Sequence, residues 1–352
     1  MAHAITLNRK TNKSEMAYAG DTPWHGLGQA LSAGADIDTW KAEAGMAWAI
    51  KKAFPRFAPY RDAPEADWVK HEDHVILFRD DTQQSLSIVS PSYKIVQPGE
   101  VLEFFRDLVG PSGFTLETAG TLDGGRRFWA MANIGDEAEV TPGDRVKGRL
   151  LLASSCDGST QTIGKFISER VVCANTLAIA MGENGNAIKM SHRSKFSAEK
   201  MKRDLNIGHG QFRKFMDAAR HLSEVHLSAA DSESLLVKIL SKPVTDINAE
   251  ADFAMSAESD LQRLLQRKPT AKAEPTVQEG KQFKGIMDLY NGQGMGSMLP
   301  GSQGTAWGLL NAVTQTVDWS APAHSQNNRL KSAWFGAGDE LKTKALETLL
   351  AV

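Results

Sequence analysis

The sequence predicts an α+β protein in which a central antiparallel sheet is flanked by helices, in the order helix-β-β-β-helix, with a helical C-terminal half. Three observations carry this prediction. Between His74 and Ile167, short runs alternate apolar and polar residues with the period of a strand. Leu122-Asp123-Gly124-Gly125 sits between two such runs and is a strong hairpin signal. Beyond residue 191 the apolar spacing changes to that of helices, as in Phe212, Phe215, Ala219 and Leu222.

Taken in order, residues 1–73 form an irregular Trp-rich segment, with Pro23, Pro55, Pro59 and Pro64 breaking regular structure. Within it, Ile37, Trp40, Ala44, Ala47 and Trp48 share helical spacing over Ile37–Ile50, and Asp36 or Asp38 caps the start. Residues 74–190 form the α+β core. Strands are expected at His74–Arg79, Ser85–Val89 and Tyr93–Gln97, and Pro98 then opens a helix over Gly99–Val109 lined by Val101, Phe104, Phe105 and Leu108. Strands follow at Phe114–Thr121, Arg127–Ile134, Arg145–Ala153 and Thr160–Ile167, and Val172–Met181 reads as a buried apolar helix ended by Gly182. Residues 191–268 form a basic helical region, including Ser232–Leu240 and Ala249–Gln266. Residues 269–304 form a polar linker and a Gly-rich loop. Residues 305–352 hold two helices, Thr305–Asp318 and Asp339–Leu350. The first carries an apolar stripe (Leu310, Val313, Val317) and a second stripe of Trp307, Asn311, Thr314 or Gln315, and Asp318.

Composition bounds the function. A chain of 352 residues with 41% hydrophobic content buries one sizeable core or two smaller ones. Its 40 Lys+Arg against 42 Asp+Glu give a net charge of −2, so any nucleic-acid surface must be local. Two cysteines, no apolar run of membrane-spanning length and no signal-peptide core point to a reduced, cytoplasmic protein without a membrane partner.

One local surface stands out. On the strand from Arg145, the side chains of Arg145, Lys147 and Arg149 share a face, and Val146, Leu150 and Leu152 supply an apolar backing. Rungs two residues apart are spaced by about 6.5–7 Å, close to the phosphate repeat of an extended single strand. Lys165, on the expected neighbouring strand, widens this basic face; the alternative is a solvated polar face of a one-sided sheet. A second concentration lies in Lys189–Arg220, with nine basic residues against three acidic ones, among them Lys195, Lys200, Lys202 and Arg203. Trp24 and His25, in Thr22-Pro23-Trp24-His25-Gly26-Leu27-Gly28, offer a ring for base contact.

Other chemistries find less support. Gly158–Phe166 lacks the spacing and terminal hydroxyl of a phosphate-binding P-loop. No His/Cys pair has the spacing of a tetrahedral metal site, and His71 and His74, at a strand entry, are not expected to be aimed together. Cys173 reads as a core residue and Cys156 as accessible in its turn. Gly292–Gly304 reads as a flexible surface loop or a phosphate nest.

Five ordered motifs, Thr22–Gly28, Ser154–Ser159, Arg170–Leu177, Gly304–Asp318 and Ser332–Leu341, resemble the phage/plasmid-like protein family, a domain of unknown function. The chain departs from that pattern at Cys156 and Trp319, where the family carries His, which argues against metal ligation there. The order of elements from Gly99 to Met181 is similar to single-strand annealing proteins of the RecT, Redβ and Erf type. That likeness implies rings or filaments that hold single-stranded DNA in a basic groove and pair strands without ATP.

The expectation is therefore an ATP-independent single-stranded DNA-binding and annealing protein of phage or plasmid recombination. It acts as a homo-oligomer, with no cofactor, no metal and no catalytic residue. Arg145, Lys147, Arg149, Lys165, Lys195, Lys200, Lys202 and Arg203 neutralise phosphates. Alternatives are a small-molecule enzyme or hydrolase with a pocket built on Trp24-His25, Asp157 and the Trp307/Asn311/Asp318 stripe, and a host-directed interaction protein.

Overall fold

A computed structural model describes residues 5–20, 22–23, 26–62, 64–109, 113–172, 175–178, 187–205, 210–241, 280–320, 332–334 and 336–352. Trp24, His25, Cys173, the expected helix Ala249–Gln266 and the linker that follows it lie outside the described residues.

The strands in chain order are β1 (Leu7–Asn8), β2 (Lys13–Ser14), β3 (Met16–Ala19), β4 (Gln29–Leu31), β5 (Ile50–Ala53), β6 (Arg56–Phe57), β7 (Val69–Lys70), β8 (Val75–Arg79) and β9 (Ser85–Val89). They continue with β10 (Thr115–Leu122), β11 (Arg127–Glu139), β12 (Arg145–Ser155), β13 (Thr162–Arg170), β14 (Asn175–Ala178) and β15 (Ile188–Met190). The helices are α1 (Ile37–Glu43), α2 (Pro98–Glu103), α3 (Ala198–Leu205), α4 (Gly210–Glu224), α5 (Ala229–Leu240), α6 (Lys281–Asp288), α7 (Ala306–Gln315) and α8 (Ala337–Leu350).

The architecture is α+β, built on one large sheet ordered β14-β13-β12-β11-β10-β3-β4, with β15 sharing the outer edge of β13. All its pairs are antiparallel except β3 with β4. The hairpin turn is the expected one: Asp123, Gly124 and Gly125 take φ of 54°, 70° and 93°, a left-handed run that glycine tolerates. Pro98 opens α2, where Gln97 and Glu100 form a reciprocal capping box, and Asp36 caps α1 by accepting the Thr39 N–H at 2.8 Å.

Several elements differ from the sequence reading. Residues 16–19 and 29–31, from the segment read as irregular, add two strands to the large sheet. Tyr93–Gln97 is not a strand: the Lys94 N–H donates to the His192 carbonyl, and Gln97 is taken up in capping α2. The expected helix over Val172–Met181 is replaced, at Asn175–Ala178, by β14, because the open edge of β13 supplies ladder partners and tertiary pairing overrides a short apolar run of ambiguous period.

The two faces of the sheet are unequal. Val146, Leu150, Leu152, Phe128, Ala130, Ala132 and Phe166 join the main core with Phe212, Phe215, Met216, Leu310 and Val313 from the helices. The opposite face carries a small cluster of Met16, Trp129, Leu151, Ala153 and Ile167, against which Trp334 packs. A second sheet, β5-β8-β9, is tied to the large one by a buried pair: Arg79 donates to Glu15 at 2.7 and 2.9 Å, and the Thr121 hydroxyl donates to the same carboxylate at 2.6 Å.

Helix α7 is buried along its whole length, which explains its small residues. A Cβ at Gly308 stands 1.9 Å from the Ser302 carbonyl oxygen. Gly308→Ala is therefore expected to destabilise the protein by at least the overpacking cost of about 1–3 kcal/mol. Urea denaturation checks this, and an unchanged midpoint refutes it.

Candidate nucleic-acid interface

The strand ladder is where expected, but its arginines are ion-paired and its lysine is flanked by glutamates. Across the sheet Arg145 stands opposite Glu139, and Lys147 stands between Glu137 and Glu169. Arg145 forms an ion pair with Glu137 at 3.1 Å. Arg149 is buried and ion-paired to both Glu117 and Glu169. Burial pushes the Glu169 carboxyl above its ordinary range, opposed by the charge of Arg149.

Lys165 does not widen an exposed basic face. It is 2% exposed, donates to Asp339 at 3.0 Å and to the Trp334 carbonyl, and burial holds its ammonium below the usual lysine range. The second face of the sheet is covered at this end by the C-terminal segment, and a cation enclosed there must be partnered to offset its lost hydration.

The polar stripe of α7 is also occupied. Asp144, fully buried at the mouth of β12, accepts two bonds from Arg170, at 2.6 and 2.8 Å, and one from the Trp307 indole N–H at 2.9 Å. Arg170 also donates to the Ser302 hydroxyl at 2.7 Å and the Gly296 carbonyl at 3.1 Å, so the Gly-rich loop is anchored on a buried arginine. Asn311 donates to the Trp307 carbonyl at 2.8 Å. Asp318 accepts the Thr176 N–H at 2.7 Å and the Lys342 ammonium at 2.9 Å. The cavity between this stripe and the sheet, lined by Ser168, Arg170, Thr176, Trp307 and Asn311, measures ≈ 10 Å³, room for about one water. The stripe holds helix to sheet, and that space admits no substrate.

Cys156, read as accessible, is 1% exposed, and burial together with the charge of Asp157 pushes its thiol up to about 12. Its thiolate form is correspondingly suppressed. His71 and His74 do meet, as stacked rings with centres 5.3 Å apart and facing nitrogens 3.0 Å apart. Among the described residues no three His, Cys, Asp or Glu side chains form a group able to hold a metal, and no helix is long and apolar enough to cross a membrane.

The basic segment 189–203 has a different character. β15 lies on the outer edge of β13 and α3 packs on both strands, so Lys189, Arg193, Lys195, Lys200 and Arg203 project from one border of the sheet as exposed residues. Lys202 is the exception, half-buried with its ammonium 3.1 Å from Asp107 and 5.4 Å from the centre of the Phe104 ring.

Two lysines that the sequence reading did not select join this border. Lys52, at the end of β5, donates to the carbonyls of Pro91 and Tyr93 at 2.9 and 2.7 Å, and Lys94 follows directly. His192 clips the pieces together. Its ring stacks on Tyr93 at 4.8 Å, and its nitrogens lie 3.3 and 3.1 Å from the carbonyl oxygens of Lys94 and Thr160.

Among the described residues no carboxylate pairs with Lys52, Lys94, Lys189, Arg193, Lys195 or Arg203. Burial, with a smaller contribution from the adjacent charge of Lys94, holds the Lys52 ammonium below its ordinary value. The only sequence signal for this surface was the basic excess after residue 189. Lys52 and Lys94 reach it through contacts between segments distant along the chain.

Comparison with curated proteins and with solved structures gives no match. Residues 85–334, spanning β9 to the C-terminal segment that covers Lys165, match one family over more than half of the chain. The chain thus belongs to the family described as Domain of unknown function (DUF932).

Proposed function

We propose that this protein binds single-stranded DNA along the border formed by Lys52, Lys94, Arg193, Lys195, Lys200 and Arg203, and anneals complementary strands without nucleotide. In this reading it works in the cytoplasm as a homo-oligomer, in recombination of phage or plasmid DNA. The observation that carries the reading is that, among the described residues, Lys52, Lys94, Arg193, Lys195 and Arg203 have no carboxylate partner, whereas the ladder arginines Arg145 and Arg149 are ion-paired. Unpaired cations at one border attract a polyanion and release its counterions on binding.

The chemistry is noncovalent. Phosphates lie against the ammonium and guanidinium groups, the bases stay unpaired, and a second strand pairs with them. Arg149 and Lys165 take no part, since each is held by its own carboxylates.

A salt series with a labelled oligonucleotide tests this. Single strands are expected to bind more tightly than duplex, with log K falling linearly in log salt at about 0.7 per phosphate contact. Annealing is expected to proceed in EDTA without ATP. Salt-independent binding, no binding, or a strict nucleotide requirement overturns the reading.

A further inference from the structure

The ribbon β6–β7 carries a second surface that the phosphate border does not use. It is short and exposed, with Arg56 opposite Lys70 and Phe57 opposite Val69. Phe54 is 43% and Trp68 39% exposed, and Phe57, Tyr60 and Val69 are exposed as well. Alternation along a strand puts Trp68 on the side of Lys70 and Phe54 on the side of Arg56. The Lys70 ammonium confirms the shared side, standing 3.8 Å from the centre of the Phe54 ring. One face therefore presents two rings and two cations, together with Glu72, which the same alternation places beside Lys70.

The register is the telling feature. Like charges directly opposite each other across a ladder cost stability. On the large sheet this chain sets glutamates opposite Arg145 and Lys147. On the ribbon it sets arginine opposite lysine. Lys70 has Glu72 at 3.1 Å, both exposed, and Arg56 has no ion pair among the described residues. The acidic residues Asp62, Glu65 and Asp67 belong to the loop joining the strands, where Asp67 accepts the Tyr60 hydroxyl at 2.7 Å. The ribbon also continues the phosphate border, because Phe54 lies two residues beyond Lys52, whose ammonium holds the Pro91–Tyr93 turn.

We infer that this ribbon is a base-stacking arm: Phe54 and Trp68 receive bases of the single strand whose phosphates run from Lys52 and Lys94 to the Arg56–Lys70 pair. Rings alternating with cations suit a polymer that alternates bases with phosphates. The inference rests on the reading of the chain as a single-stranded DNA-binding protein.

The test compares wild type with Phe54→Ala/Trp68→Ala on oligodeoxythymidylate and on an abasic oligomer of equal length, with far-UV circular dichroism and sedimentation of each protein. Each lost stack is expected to weaken binding to oligodeoxythymidylate by about tenfold. The salt slope and the affinity for the abasic oligomer stay at wild-type values, and Phe54→Tyr/Trp68→Phe restores binding. If wild type binds and the alanine variant binds equally well, the arm is wrong and the phosphate border stands. If the variant sediments as a smaller species and loses both oligomers alike, the ribbon is a contact between protein chains and the inference falls. If wild type binds no single strand, the functional reading fails and takes this inference with it.

Discussion

Replacing Arg170 by Met is expected to lower stability by about 3–5 kcal/mol, the usual cost of removing one partner from a buried ion pair. The side chains of Arg170 and Asp144 are 2% and 0% exposed. With the guanidinium gone, Asp144 retains the Trp307 indole N–H as its side-chain donor, and the Ser302 hydroxyl and Gly296 carbonyl lose a partner as well. A carboxylate so enclosed is left without its counterion, at the full cost of its lost hydration. The double variant Arg170→Met/Asp144→Leu is expected to recover much of the loss, because replacing both members by apolar groups removes the stranded charge. Urea denaturation measures both, and a loss under about 1 kcal/mol in the single variant refutes the role given to this pair.

The second large effect separates the two basic surfaces. Reversing Lys94, Arg193 and Lys195 to Glu is expected to reduce single-stranded DNA affinity by at least about 100-fold at ~0.1 M salt and to lower the salt slope by about 2, at about 0.7 per lost contact. All three residues are exposed, so the fold is expected to persist. The companion variant Arg145→Gln/Lys147→Gln removes the ladder's exposed cations without setting new carboxylates opposite Glu137, Glu139 and Glu169, and is expected to bind nearly as wild type does. Arg149 is left out of that comparison because it is buried between Glu117 and Glu169, and removing it would strand both carboxylates. If the ladder variant loses binding and the border variant keeps it, phosphates lie on the strands instead.

The sequence was most legible where local rules suffice. The strands around Asp123-Gly124-Gly125, the Pro98 helix start and the Asp36 cap follow from turn and capping chemistry that acts within a few residues. The apolar backing of the ladder followed from alternation alone, and Val146, Leu150 and Leu152 are all buried. Legibility ended where a residue's environment is supplied from far along the chain. Alternation correctly placed Arg149 beside Lys147, but it contains nothing about Glu117 or Glu169. Lys165 looks identical in sequence whether it faces water or Asp339. The stretch at residue 175 failed for the same reason, since a short apolar run becomes a strand only when an edge is offered to it. At the candidate site the basic excess of Lys189–Arg220 was visible. Its distribution between partnered cations such as Lys202 and those without a carboxylate partner among the described residues, such as Arg193, was not.

The bonds that fasten helices to sheet also bear on the order in which the chain acquires its structure. Asp144 waits for Trp307, Lys165 for Trp334 and Asp339, and Thr176 for Asp318 and Lys342, separations of 163, 169, 174, 142 and 166 residues. During synthesis the four long strands leave the ribosome well before any of these partners exist. A sheet assembled at that stage leaves the Lys165 ammonium on an uncovered, hydrated face, and the ammonium is enclosed only together with its partners Trp334 and Asp339. Contacts this remote close slowly, because the chain between them must first give up its freedom. Docking of the C-terminal helices is accordingly expected to be the slow step in refolding of the whole protein, with the half-covered sheet as the species open to aggregation in the meantime.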